Sequence, residues 1–84
     1  MIKSRTTLST EYILSAVANE LETAVKRYGP MTSPHEAYAV IQEEVDEYWD
    51  EVKQKPNLRD KERMKKELIQ VAAMAMRAIM DTCD

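Results

Sequence analysis

An all-α fold, an antiparallel bundle of about three helices, is predicted by three observations. Apolar residues recur at alternating three- and four-residue steps through three long segments. The one glycine and three prolines, at Gly29, Pro30, Pro34 and Pro56, all fall between those segments or at the first position of one. Residues suited to helix starts precede each segment, and no stretch shows the strict alternation of a strand.

The first helix is expected to begin at Ser9, an N-cap residue followed by Glu11 in the first turn, with Leu8 and Ile13 placed as a hydrophobic staple. Its apolar stripe reads Leu14, Val17, Leu21, Ala24 and Tyr28. Gly29 and Pro30 end it, the glycine as a left-handed cap and the proline as a break in the hydrogen-bond ladder. Ser33-Pro34-His35-Glu36 starts the second helix: a capping serine, proline at the first helical position and Glu three residues after the cap form a capping box. Tyr38, Ile41, Val45, Tyr48 and Val52 make the second stripe, which stops before Lys55-Pro56 because a residue preceding proline avoids helical geometry. Asn57 is the expected cap of the third helix, with Met64, Leu68, Val71, Ala75 and Ile79 or Ala78 buried. Met74, Met76 and Met80 are read as filling a helix interface.

At 84 residues, positions 1–84 make one domain near the size where a lone core is only marginally stable, so completion by oligomerisation is expected. A single cysteine, Cys83, excludes an intrachain disulfide and fits a reducing compartment. No segment has the apolar length of a signal peptide core or membrane span, so a cytoplasmic location and no membrane partner are expected. The net charge of −3 and the lack of a basic run argue against a nucleic acid polymer as partner.

Two acidic clusters carry the chemistry. Glu43, Glu44 and Glu47 lie on the second helix, Glu67 and Gln70 on the third. Oxygen ligands three residues apart share one helix face. Clusters on two packed helices converge into a carboxylate-rich nest of the kind Mg²⁺ prefers. Like charges at this spacing destabilise a bare helix, so a divalent cation would offset them. The competing reading is a pair of solvated acidic faces.

Helical projection sets Arg63 and Arg77 within about 80° of Glu67 on the side of Gln70, as candidate phosphate-binding residues or ordinary ion-pair partners. His35, Tyr48 and Trp49 fit capping-neighbour and packing roles better than catalytic ones. A di-iron carboxylate bundle would need Glu-x-x-His ligands, and neither cluster holds a histidine.

The pattern Glu43-Glu44-x-x-Glu47, then positions 48–66, then Glu67-x-x-Gln70 resembles the MazG-like nucleotide pyrophosphohydrolases of the all-α NTP pyrophosphatase superfamily. The likeness extends to Arg27-Tyr28-Gly29-Pro30, His35-Glu36-Ala37-Tyr38 and Lys66 through Ala75. It implies Mg²⁺-dependent hydrolysis of a nucleoside triphosphate between the α and β phosphates; Mn²⁺ is a candidate substitute ion, and three helices being too few to enclose a nucleotide, a homodimer or homotetramer is the expected assembly. By position, Glu44, Glu47, Glu67 and Gln70 would be metal ligands, and Glu43 would stand behind the ligands or orient the attacking water; Glu43 or an adjacent ligand carboxylate would accept the water's proton. Gln70 stands where the family pattern has Asp. An amide oxygen can coordinate Mg²⁺ but adds no negative charge and is no base at neutral pH. The alternative is a helical nucleotide-sensing or protein-interaction module that keeps the fold without the chemistry.

Overall fold

The computed structural model describes residues 8–84, which form three α-helices and one short 3₁₀ turn, with no strand among them. Helix α1 spans Thr10–Arg27, α2 spans Pro34–Val52 and α3 spans Lys61–Thr82. Helix α3 is the central element and packs against both of the others.

The helix ends follow from local hydrogen bonding. Ser9 Oγ accepts from the Tyr12 amide at 3.1 Å, and Ser33 Oγ accepts from the Glu36 amide at 3.0 Å. The reciprocal half of the second cap reaches one residue further back than a capping box: Glu36 Oε1 accepts from the amide and hydroxyl of Thr32. Those bonds hold the Glu36 carboxyl below its ordinary range.

Two expected ends are corrected. Helix α1 closes without a left-handed residue: Tyr28 is extended at φ −119°, and its amide bonds to Ala24 O at 2.9 Å. Helix α3 is capped by Asp60, not Asn57, because Pro56–Leu58 turn into a 3₁₀ segment first. The Asp60 carboxylate then accepts from the Glu62 and Arg63 amides at 2.9 and 3.2 Å. A charged acceptor at the positive end of a helix is the stronger cap.

The core is built around small residues. Val17 and Ala24 of α1, Met31 of the connection, Ala37 of α2 and Ala73 and Met74 of α3 are buried, with Leu21, Val40, Ile41, Ile69, Ala72 and Ala78 packed around them. Alanine lets helices approach closely, and Ala73 has no exposed surface. The predicted stripe of α1 holds at Val17, Leu21 and Ala24, and Ile41 and Ala78 pack against the core as expected, but Leu14, Tyr28, Tyr38, Val45, Leu68 and Ile79 are exposed. Of the three methionines, Met74 is buried while Met76 and Met80 are exposed.

The connection between α1 and α2 is fastened to the far end of α3. Arg77, 7% exposed, donates from Nη2 to Gly29 O at 2.8 Å and lies over the Tyr28 ring at 5.4 Å. Asp81 accepts from the Met31 amide at 2.9 Å and stands 3.9 Å from Arg77 Nε.

Candidate metal centre

The packing face of α2 is what brings the acids inward. Taking Ala37 as the centre of that face, Glu44 falls about 20° away and Glu51 about 40° away, while Val45 lies about 80° and Trp49 about 120° off it. Exposure agrees: Glu44 and Glu51 are half-buried, and Val45 and Trp49 are exposed. Glu44 therefore occupies a position along the α2–α3 seam where an apolar side chain would ordinarily sit.

Glu44 and Glu47 of α2 and Glu67 of α3 each present a carboxylate oxygen, and these oxygens all lie within 4.8 Å of one another. Burial pushes the Glu44 carboxyl up to about 7, and the negative charges of Glu47, Glu67 and Glu43 reinforce it. Glu67 is also raised, first by burial and then by Glu47, while Lys66 and Arg63 act in the opposite sense. Around an octahedral Mg²⁺ with bonds of about 2.1 Å, neighbouring oxygens are about 3.0 Å apart and opposite ones about 4.2 Å. Three hard anionic oxygens from two helices fit Mg²⁺ or Mn²⁺, with positions left for water or phosphate oxygen.

The remaining sequence-selected residues surround this triad unequally. Glu43 is exposed and lines a cavity of about 420 Å³ together with Glu44, Arg77 and Tyr28. Gln70 joins Glu44 in a smaller cavity of about 130 Å³, whose walls include Glu20 and Arg27 of α1. Arg63 is ion-paired to Glu51 at 3.2 Å, and Arg77 is held by Gly29 and Asp81. His35 is exposed at the start of α2, away from these cavities.

Sequence reading passed over the part played by α1. Glu20, Arg27 and Tyr28 reach the small cavity beside Glu44 and Gln70. Glu20 and Thr23 also line a second, open groove of about 590 Å³ with Arg63 and Lys66. Polar residues Glu20, Thr23 and Arg27, each beside the α1 core positions Val17, Leu21 and Ala24, were the available signal. No family model matches the chain, and neither a curated protein nor a solved structure matches it. Fold and site together define an all-helical chain with an intramolecular acidic triad at a helix seam.

Proposed function

We propose that this chain is a Mg²⁺-dependent nucleoside triphosphate pyrophosphohydrolase, acting on NTPs or dNTPs to give the monophosphate and pyrophosphate. The observation that carries the reading is the convergence of Glu44, Glu47 and Glu67 within 4.8 Å from two helices. The spacing of Glu43, Glu44, Glu47 and Glu67 that resembles MazG-like enzymes supports it from the sequence side. Glu44, Glu47 and Glu67, with the amide oxygen of Gln70, would hold the ion. When bound, Mg²⁺ neutralises phosphate oxygens and lowers the barrier to water attack.

The chain's own groups supply the rest. Hydrolysis inserts one water into the α–β anhydride, the bridging oxygen leaves with pyrophosphate, and one proton is released. Glu43, exposed in the cavity it shares with Glu44, takes that proton. Arg77 contributes positive charge to the wall of the same cavity. A homodimer or homotetramer belongs to this reading, because Tyr38, Trp49 and Ile79, at 69%, 55% and 62% exposure, are apolar surfaces suited to a second copy. So does a cytoplasmic location, where nucleoside triphosphates are abundant; no helix among the described residues is long and apolar enough to cross a membrane.

The test is pyrophosphate release from a panel of standard and modified NTPs and dNTPs with Mg²⁺ or Mn²⁺, beside the Glu44→Gln/Glu47→Gln double variant. Metal-dependent turnover that disappears in the variant is expected. A wild-type chain inactive on every nucleotide would refute the enzyme. Gln70 favours the second reading in that case, a nucleotide-sensing or protein-interaction module, because it removes one charge from the acidic set.

A further inference from the structure

The junction between α2 and α3 is closed by side chains of both helix ends. Arg59 Nε donates to Val52 O at 2.9 Å, at the last turn of α2. Glu51 faces the other way, into the seam, with its side chain 15% exposed. Its Oε2 pairs with Arg63 Nε at 3.2 Å, and its Oε1 accepts from the Asp60 amide at 3.3 Å. Asp60 in turn caps the helix that carries Arg63. One carboxylate thus grips the first turn of α3 through both its main chain and a side chain.

The position of this grip matters. Glu51 follows Glu47 by one helical turn on α2, and Arg63 precedes Glu67 by one turn on α3. The Glu51–Arg63 pair is therefore the next rung along the seam from the Glu47–Glu67 approach. A slip of one residue along a helix moves a ligand about 1.5 Å and turns it about 100°. Metal–ligand distances tolerate only about 0.2 Å.

We infer that Glu51 and Arg63 are positioning residues, a clamp that fixes the register of α2 against α3 so that Glu44 and Glu47 meet Glu67. This rests on the proposed function, since it assigns the clamp to the cation site of that reading. It also gives Arg63 a role that needs no contact with substrate.

Two effects of removing Arg63 have opposite signs, which makes the substitution informative. Arg63 is a positive charge one helical turn before Glu67 on α3. By field alone, Arg63→Gln would therefore tighten binding of a divalent cation. Loss of the clamp would weaken it. The experiment is a calorimetric Mn²⁺ titration of the full chain, wild type against Arg63→Gln and Arg63→Lys, well below the melting temperature, with helicity checked by circular dichroism. Arg63 is 69% exposed at its side chain, so the variants should fold.

Arg63→Gln is expected to bind Mn²⁺ about tenfold more weakly, as supporting residues around metal ligands typically do, while Arg63→Lys keeps most of the affinity by keeping the ion pair. Equal or tighter binding by Arg63→Gln would overturn the clamp while leaving the cation site intact. A wild-type chain that binds no Mn²⁺ would overturn the site itself, and the clamp with it.

Discussion

Glu44→Gln should stabilise the cation-free protein, although it removes a ligand the proposed activity requires. The oxygens of Glu44, Glu47 and Glu67 lie within 4.8 Å of one another. At that separation two unit charges repel by about 0.9 kcal/mol even at the dielectric constant of water. The substitution removes two of the three pairs. Carboxylate charge is spread over two oxygens and Glu44 is only half-buried, so the net gain is about 1–2 kcal/mol after screening. For a domain of this size that is a rise in melting temperature of roughly 5–10 °C.

The pH dependence follows from the direction of the shift. The folded Glu44 carboxyl titrates near 7, against an ordinary value of 4.5. Between those values the folded state holds a proton that the unfolded state has released. Stability from this group is therefore present below about 4.5 and is lost as the pH rises through 7. Glutamine mimics the protonated acid, so variant and wild type should melt together near pH 4.5 and separate fully by pH 8. Melting curves by circular dichroism at low ionic strength, with chelator present, measure this. Added Mg²⁺ should then raise the wild-type midpoint and leave the variant unmoved. A cation-free Glu44→Gln that melts below wild type at pH 8, or a difference independent of pH, would refute the account of Glu44 as a buried, mutually repelling ligand.

Three further outcomes are expected. Gln70→Asp adds a charge to the cavity shared with Glu44; it should lower the cation-free melting temperature by several degrees, strengthen Mn²⁺ binding in calorimetry, and raise pyrophosphate release. Asp81→Ala strands the Met31 amide and takes the carboxylate from beside the buried Arg77 guanidinium, which keeps its bond to Gly29 O, and should cost about 2–3 kcal/mol in urea unfolding without changing the slope of the transition. Ala73→Leu, at a site with no exposed surface, should destabilise by about 1–3 kcal/mol and, by parting α3 from its neighbours, weaken Mn²⁺ binding as well.

Helix existence and the Ser9 and Ser33 caps were legible in the sequence, because capping and helical periodicity are local, and the matching three-residue spacing of the two acidic clusters marked Glu44, Glu47 and Glu67 as side chains able to converge. The α3 cap was not, since Asn57 and Asp60 are both competent and the choice depends on the 3₁₀ turn that Pro56 begins. Nor was the rotation of α2 and α3, whereas that of α1 was legible at Val17, Leu21 and Ala24. Periodicity reports an apolar stripe without saying what it faces, and the large residues Leu68 and Ile79 lie about 120–140° from Ala73 around α3. Close helix approach selected the alanines for the interior instead. That rotation also leaves Glu44 and Glu51 half-buried at the seam, which periodicity alone does not reveal. The Glu51–Arg63 pair joins residues on different helices, and only the packing reveals it.

The rotation bears directly on function. Glu44 stands on the line Ala37, Ile41, Tyr48 of α2, where leucine would add packing and remove repulsion. The core it interrupts is small: among the described residues the buried apolar set is Val17, Ala24, Met31, Ala37, Ala73 and Met74, and no large side chain is fully buried. A domain with so little apolar burial has a narrow margin of stability. Three mutually repelling carboxylates at its main helix seam oppose local packing logic, and such conflicts concentrate at functional sites. Under the proposed reading the opposition would disappear with a cation in the triad, since the same charges would then be ligands. Stability in the presence of Mg²⁺ and stability at low pH are thus two ways of neutralising one site, and the effects should not add: at pH 4.5 the protein should melt high and ignore Mg²⁺.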